Sequence, residues 1–208
     1  MIPTDIALSL LEQASYEPAP VGEVCDAGED RAVITRLPGL DVLSIVGTRN
    51  LAGWLSDFDI RRGTLYDCPL AGPCEAGFAA GANALWPVVR PLIGARPLVI
   101  QGHSRAGPIA AMITIRCLSV GIKPVRVVAY ESPWGVGPQG RDMILGAGVS
   151  GVTYWNGNDP VPLGPPESWL VPHVWPLVYI GRPRWVPVEC HYMASVVTEL
   201  SARQAVAA

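Results

Sequence analysis

Three residues of the chain have the chemistry of nucleophilic catalysis, and they stand in the order Ser104, Asp159, His191. A serine hydroxyl attacks a carbonyl carbon when a base takes its proton, and the base works best when a carboxylate fixes its tautomer. The serine lies in residues 97–107, PLVIQGHSRAG, where an apolar β-branched run ends at Gly102. Small residues follow, then an apolar segment over 109–120 with no turn residue in it. That order reads as a buried strand, a sharp turn and a helix. A serine on such a turn presents its hydroxyl at the amino end of the helix, where the helix dipole and free N–H groups could hold an oxyanion. The same residues also fit a plainer reading, a serine N-cap opening a buried helix.

The chain has three histidines, so the search for a base is short. His103 adjoins the serine, and its side chain should point away from the hydroxyl. His173 follows Pro172 in the proline-rich stretch 161–187, and His191 opens a terminal helix over 191–204. Asp159 falls in the turn Asn156-Gly157-Asn158-Asp159-Pro160, just past a strand over 151–155. The carboxyl end of a strand is where an α/β sheet delivers site residues. Asp159 also suits an Asx-turn and His191 a helix cap.

These residues need a scaffold, and the remaining pattern supplies one. Residues 4–15 read as a helix capped by Thr4, and 16–30 as a loop of Pro, Gly and acidic residues. Two β-rich runs, 31–36 and 41–46, flank Leu-Pro-Gly-Leu and suggest a hairpin. A short helical stripe follows over 51–58. A helix over 77–89 is expected to be shortened or kinked by Pro87 and Pro91. The run 124–130 should lie parallel to the strand before Ser104, joined to it by the intervening helix. A short helix over 139–145 and a last strand over 177–180 complete the pattern. Strands alternating with helices predict a mostly parallel central sheet covered by helices on both faces, as one α/β domain over residues 1–208.

Composition narrows the function classes. Half of the 208 residues are hydrophobic and 16% are charged, enough apolar content for a sizeable core. The net charge of −3 gives no reason to expect nucleic acid or an anionic membrane as partner. No run is long and apolar enough for a transmembrane segment. The first residues look like an amphipathic helix rather than a signal peptide, so the expected location is cytoplasmic, with release by another route left open. Five cysteines without C-x-x-C pairs or nearby histidines argue against a metal site. Cys68 and Cys74 could close a small loop in an oxidising compartment, but free thiols are the default.

Beyond these readings, the chain resembles the class 3 (fungal-type) lipases of the α/β-hydrolase superfamily. Ile45-Val46-Gly47-Thr48 followed by Trp54-Leu55-Ser56-Asp57 is similar to that family's oxyanion strand and the segment after it. Gly77-Phe78 resembles its "GF" helix, and Gly102-His103-Ser104-Arg105-Ala106-Gly107 its Gly-His-Ser-Leu-Gly-Gly. Tyr130-Glu131-Ser132-Pro133 and Gly135-Val136-Gly137 resemble its Ser/Ala-Pro-x-Val-Gly turn. Asn158-Asp159-Pro160-Val161-Pro162 resembles its aspartate motif, and His191-Tyr192 stands beyond as the histidine. The likeness covers about residues 42–162. Departures are Arg105 for an apolar residue, Ala106 for a glycine, and Val46 where an arginine is usual.

The resemblance implies a serine esterase or lipase with Ser104 as nucleophile, His191 as base and Asp159 as its orienting acid. It implies an oxyanion hole from the backbone N–H groups of Thr48 and Arg105, with the Arg105 side chain at the rim of the acyl site. Leu51, Trp54 and Leu55 fall where the family often carries a lid, although an apolar stripe is commonly core. Trp134 could line the acyl pocket or fill core. No metal or cofactor is implied. The implied partner is a small-molecule ester or a lipid, which leaves interfacial contact and oligomeric state open. Acyl transfer or amide cleavage by the same trio, and a non-catalytic binding module on the same fold, are alternatives.

Overall fold

The computed structural model describes residues 2–47 and 61–207. Helix α1 (Asp5–Ser15) starts where expected, with the Thr4 hydroxyl accepting the Ala7 N–H at 3.3 Å. The next segment departs from expectation, because residues 16–30 contain strand β1 (Glu23–Ala27) instead of only loop. Only Cys25 of that strand is buried. An edge strand facing solvent at most positions carries no apolar alternation, so periodicity cannot reveal it. It pairs antiparallel with β2 (Asp30–Leu37), which pairs antiparallel with β3 (Leu40–Val46).

From β3 the sheet becomes parallel. β3 pairs with β6 (Leu98–His103), then come β7 (Arg126–Tyr130), β8 (Gly151–Asn156) and β9 (Leu177–Ile180), giving the order β1-β2-β3-β6-β7-β8-β9. β4 (Arg62–Gly63) and β5 (Cys74–Glu75) form a separate two-stranded ribbon.

The crossover helices are α2 (Ala76–Val89), α3 (Ala106–Ser119) and α4 (Pro138–Gly146); α5 (Val188–His191) and α6 (Met193–Ala207) end the chain. α2 is capped by Glu75, whose carboxylate accepts the Phe78 N–H at 2.7 Å, and it runs through Pro87 to Val89 before tightening into a 3₁₀ turn. In α3 every residue from Ala106 to Cys117 is buried, which is why its sequence is mostly apolar; the two polar exceptions are paired, Thr114 with the Ala110 carbonyl and Arg116 with Asp67.

Alternate residues of each strand feed opposite cores. Leu98 and Ile100 of β6 join Phe78, Leu85, Ile109 and Ile113 under α2 and α3. Val99 joins Leu8, Val128, Tyr130 and Val196 under α1 and α6. No helix among the described residues is long and apolar enough to cross a membrane.

The terminal helix differs from the single run expected over 191–204. Tyr192 takes an extended ψ of 136°, which ends α5. Its carbonyl then accepts the N–H groups of Ser195 and Val196 at 2.8 and 3.2 Å, starting α6. No glycine or proline marks this break. His191 therefore closes a short helix instead of opening a long one.

Candidate active site

Register brings the site residues to one edge. His103 is opposite Tyr130 in the β6–β7 pair, and Tyr130 is opposite Tyr154 in the β7–β8 pair. The residues following these strand ends emerge side by side. The chain turns sharply after β6, and Ser104 takes φ 58°, a left-handed conformation that costs a non-glycine residue about 1–2 kcal/mol. The surroundings enforce it: the Ser104 N–H donates to the Tyr130 carbonyl, and the Ser104 carbonyl accepts the Gly107 N–H, both at 2.8 Å. Strand and helix meet too closely here for side chains at two positions. A Cβ on Gly102 would lie 2.3 Å from the Ala106 carbonyl oxygen, and one on Gly107 would lie 2.3 Å from Ser132 Oγ.

Asp159 is held in the turn after β8. Its N–H donates to the Asn156 carbonyl at 3.2 Å, and its own carbonyl accepts the Trp155 indole N–H at 2.9 Å. Its Oδ1 accepts the Val161 N–H at 3.1 Å, which leaves Oδ2 aimed at His191 Nδ1, 2.6 Å away. His191 Nε2 lies 2.8 Å from Ser104 Oγ. All three side chains are buried. With Nδ1–H donated to the carboxylate, Nε2 is left to accept the serine O–H. Burial pushes the Asp159 carboxyl up, but hydrogen bonds from His191 and Glu131 outweigh it and hold the carboxyl below its usual range.

The histidine is positioned through its backbone as well. Asn156 Nδ2 donates to the Cys190 carbonyl and to Ser195 Oγ, each at 2.9 Å, pinning α5 and the start of α6 to the end of β8. His103 turns away from the hydroxyl, as expected, but it is not idle. Tyr16 Oη accepts the Gly47 N–H at 2.9 Å, so its own proton goes to His103 Nδ1 at 3.0 Å. His103 Nε2–H then donates to the His191 carbonyl at 2.6 Å. Burial lowers the His103 pKa to about 3, so this ring stays neutral.

The other expected residues fall as follows. Arg105 occupies the N-cap of α3, where its N–H has no partner within the helix. Its side chain does not stand at the rim of the site. It turns back to an ion pair with Asp30 and to the Gly77 carbonyl, because a half-buried guanidinium needs a partner. Trp134 braces the loop beyond Asp159: its indole donates to the Pro162 carbonyl at 3.0 Å and its backbone N–H to the Gly164 carbonyl at 2.7 Å. Thr48, Leu51, Trp54 and Leu55 lie outside the described residues. His173 lines a small cavity with Pro108, Ser132 and Trp175 and does not contact Ser104. The five cysteines are free and buried, so Cys68 and Cys74 close no loop.

Sequence reasoning missed Glu131. It follows β7 directly, at φ 49°, with no exposed surface. Its Oε1 accepts the Asn156 N–H at 2.7 Å, and burial, followed by the neighbouring Asp159, pushes its pKa well above the carboxylate range. Oxygen and nitrogen atoms of Glu131, Asp159 and His191 lie within 4.8 Å of one another. A 2.6 Å contact between Asp159 and His191 leaves no room for an ion between them, and the other imidazole nitrogen is committed to Ser104. The group therefore reads as a proton-sharing cluster.

No protein-family model and no curated protein matches the sequence. The fold does have solved relatives. Lipase II of Rhizopus niveus superposes with a TM-score of 0.66 at 16% identity, over 85% of this chain and 78% of that one. A Rhizomucor miehei lipase, in a propeptide complex, gives 0.68 at 14% identity over 85% of this chain and 67% of that one. The MDLA protein of Penicillium cyclopium, in a mutant form, gives 0.65 at 21% identity over 89% and 84%. The fold is that of the fungal lipases.

Proposed function

We propose that the chain is a serine hydrolase of carboxylic esters, akin in chemistry as well as fold to the class 3 lipases. The observation that carries this reading is the unbroken line from Ser104 Oγ to His191 Nε2 and from His191 Nδ1 to Asp159 Oδ2, at 2.8 and 2.6 Å, on a serine at φ 58°. A serine that merely capped a helix would need neither the left-handed backbone nor a base whose far nitrogen is held by a buried carboxylate.

Ser104 Oγ attacks the ester carbonyl carbon as its proton passes to His191 Nε2. The imidazolium is stabilised by Asp159, and the proton then goes to the departing alkoxide. Water, deprotonated by the same nitrogen, attacks the acyl-serine, and His191 returns the proton to Ser104 as the acid leaves. The Arg105 N–H, at the positive end of α3, is one donor to the oxyanion, and Thr48 is assigned as the other from its place after Gly47. One such donor contributes roughly 10²–10³ in turnover.

A fluorophosphonate probe and a chain-length series of p-nitrophenyl esters test the reading. Wild-type protein should be labelled and should hydrolyse the esters, and Ser104→Ala should do neither. Equal labelling of both proteins, or no hydrolysis by the wild type, would remove it and favour a binding module on the same fold.

A further inference from the structure

The hydrolytic relay does not use Glu131, yet this side chain is buried behind it and its electrostatics are unusual. We propose that Glu131 is a positioning residue held as a carboxylic acid, whose O–H donates to the Asp159 carboxylate, so that the pair carries a single negative charge behind His191. The proposal rests on the serine-hydrolase reading for its kinetic consequences, but not for the protonation state itself.

Three observations support it. Both side chains have no exposed surface, and their oxygens lie within 4.8 Å of each other. Two ionised carboxylates so close and so dry repel too strongly to coexist, so one keeps a proton. Asp159 already receives two N–H groups, from His191 and Val161, which favour its charged form. Among the described residues, Glu131 receives only the Asn156 N–H on Oε1, and no donor reaches its Oε2. The proton therefore belongs on Glu131, and with it the orphaned oxygen gains a use as a donor. The Glu131 N–H, bonded to the Tyr154 carbonyl at 2.9 Å, and its left-handed φ hold the side chain in this place.

The titratable groups facing Glu131 are Asp159, from the turn after β8, and His191 and Cys190, from α5. The consequence for the reaction is a second constraint on Asp159. A carboxylate anchored by Val161 and Glu131 presents Oδ2 to His191 in one orientation. When alkali removes the Glu131 proton, that donor becomes a repelling charge.

Glu131→Gln and Glu131→Leu test this. The amide supplies the same donor to Asp159 and the same acceptor to Asn156, whereas leucine supplies neither. The glutamine variant should keep near-wild-type kcat and extend the alkaline plateau of the pH–rate profile. The leucine variant should lose up to about 10²-fold in kcat with KM little changed. Infrared difference spectra of the two folded proteins at neutral pH, wild type minus Glu131→Gln, should show a protonated-carboxyl C=O band. Glu12, also buried and with a pKa raised by burial to about 8, is common to both proteins and cancels in the difference. Absence of the band, a glutamine variant as impaired as the leucine one, or a glutamine variant that does not fold would overturn the proposal. The infrared result stands whether or not the chain cleaves esters.

Discussion

Replacing Glu12 with glutamine should stabilise the protein at neutral and alkaline pH and do nothing at pH 4. Glu12 lies on α1 with no exposed surface. Its Oε1 accepts the His103 N–H at 3.1 Å, while Oε2 meets no donor among the described residues. Burial raises its pKa to about 8, against hydrogen bonds from His103 and Ser44 that lower it. The sign follows from linkage. Below the unfolded value of 4.5 the carboxyl is protonated in both states, and folding bears no cost from it. Between 4.5 and about 8 the unfolded chain ionises while the folded chain stays protonated, so stability falls with rising pH. At 1.36 kcal/mol per unit, that amounts to about 3 kcal/mol at pH 7 and about 5 kcal/mol above pH 8. Glutamine mimics the neutral acid at every pH and keeps the acceptor for His103. The variant should gain about 3 kcal/mol at pH 7, on the order of 10 °C in melting temperature for a chain of this size. Urea denaturation of both proteins at pH 4, 7 and 8.5 measures the difference. A gain that is the same at pH 4 and 8.5, or a loss at pH 8.5, would refute the reasoning.

Asp159→Asn should leave the backbone in place but drop kcat by roughly 10⁴, since an amide favours the wrong imidazole tautomer; stopped-flow ester hydrolysis would register it. Arg105→Leu should keep kcat near that of the wild type, because its guanidinium is engaged by Asp30 and the Gly77 carbonyl, while lowering the melting temperature through loss of the Asp30 ion pair. A large fall in kcat without a change in fold would mean that the guanidinium reaches substrate. Gly107→Ala should destabilise by about 1–3 kcal/mol, because the added methyl meets Ser132 Oγ, and calorimetry should show it even in the absence of any substrate.

What was legible in the sequence was whatever depended on local pattern. β6, the turn at Ser104 and α3 announce themselves because a buried parallel strand and a buried helix are both continuously apolar, and small residues mark the tight turn between them. Asp159 was readable because its turn is dense in Asn, Gly and Pro. β1 was not, because an edge strand with one buried side chain has no periodicity to detect. The break at Tyr192 was hidden for a related reason: it is imposed by packing of α5 against Asn156, and no residue type encodes it. In sequence Arg105 looks like a free charge beside the nucleophile, because Asp30, its partner, lies far away along the chain. Glu131 lies within Tyr130-Glu131-Ser132-Pro133, yet nothing local says that its neighbour in space is Asp159.

The contact between His103 and the His191 carbonyl separates two roles that a single loop would otherwise have to combine. The stretch from Val161 to Pro187 joins Asp159 to His191, but His191 is not held in place by that tether alone. It is clasped by the pair of residues at the end of β6, one gripping its ring and the other its main chain. Apart from Val161, whose N–H anchors Asp159, and strand β9, the connecting segment is thereby released from holding these atoms. It can lengthen, shorten or change its side chains, and so reshape what enters the site, while the reacting atoms stay in alignment.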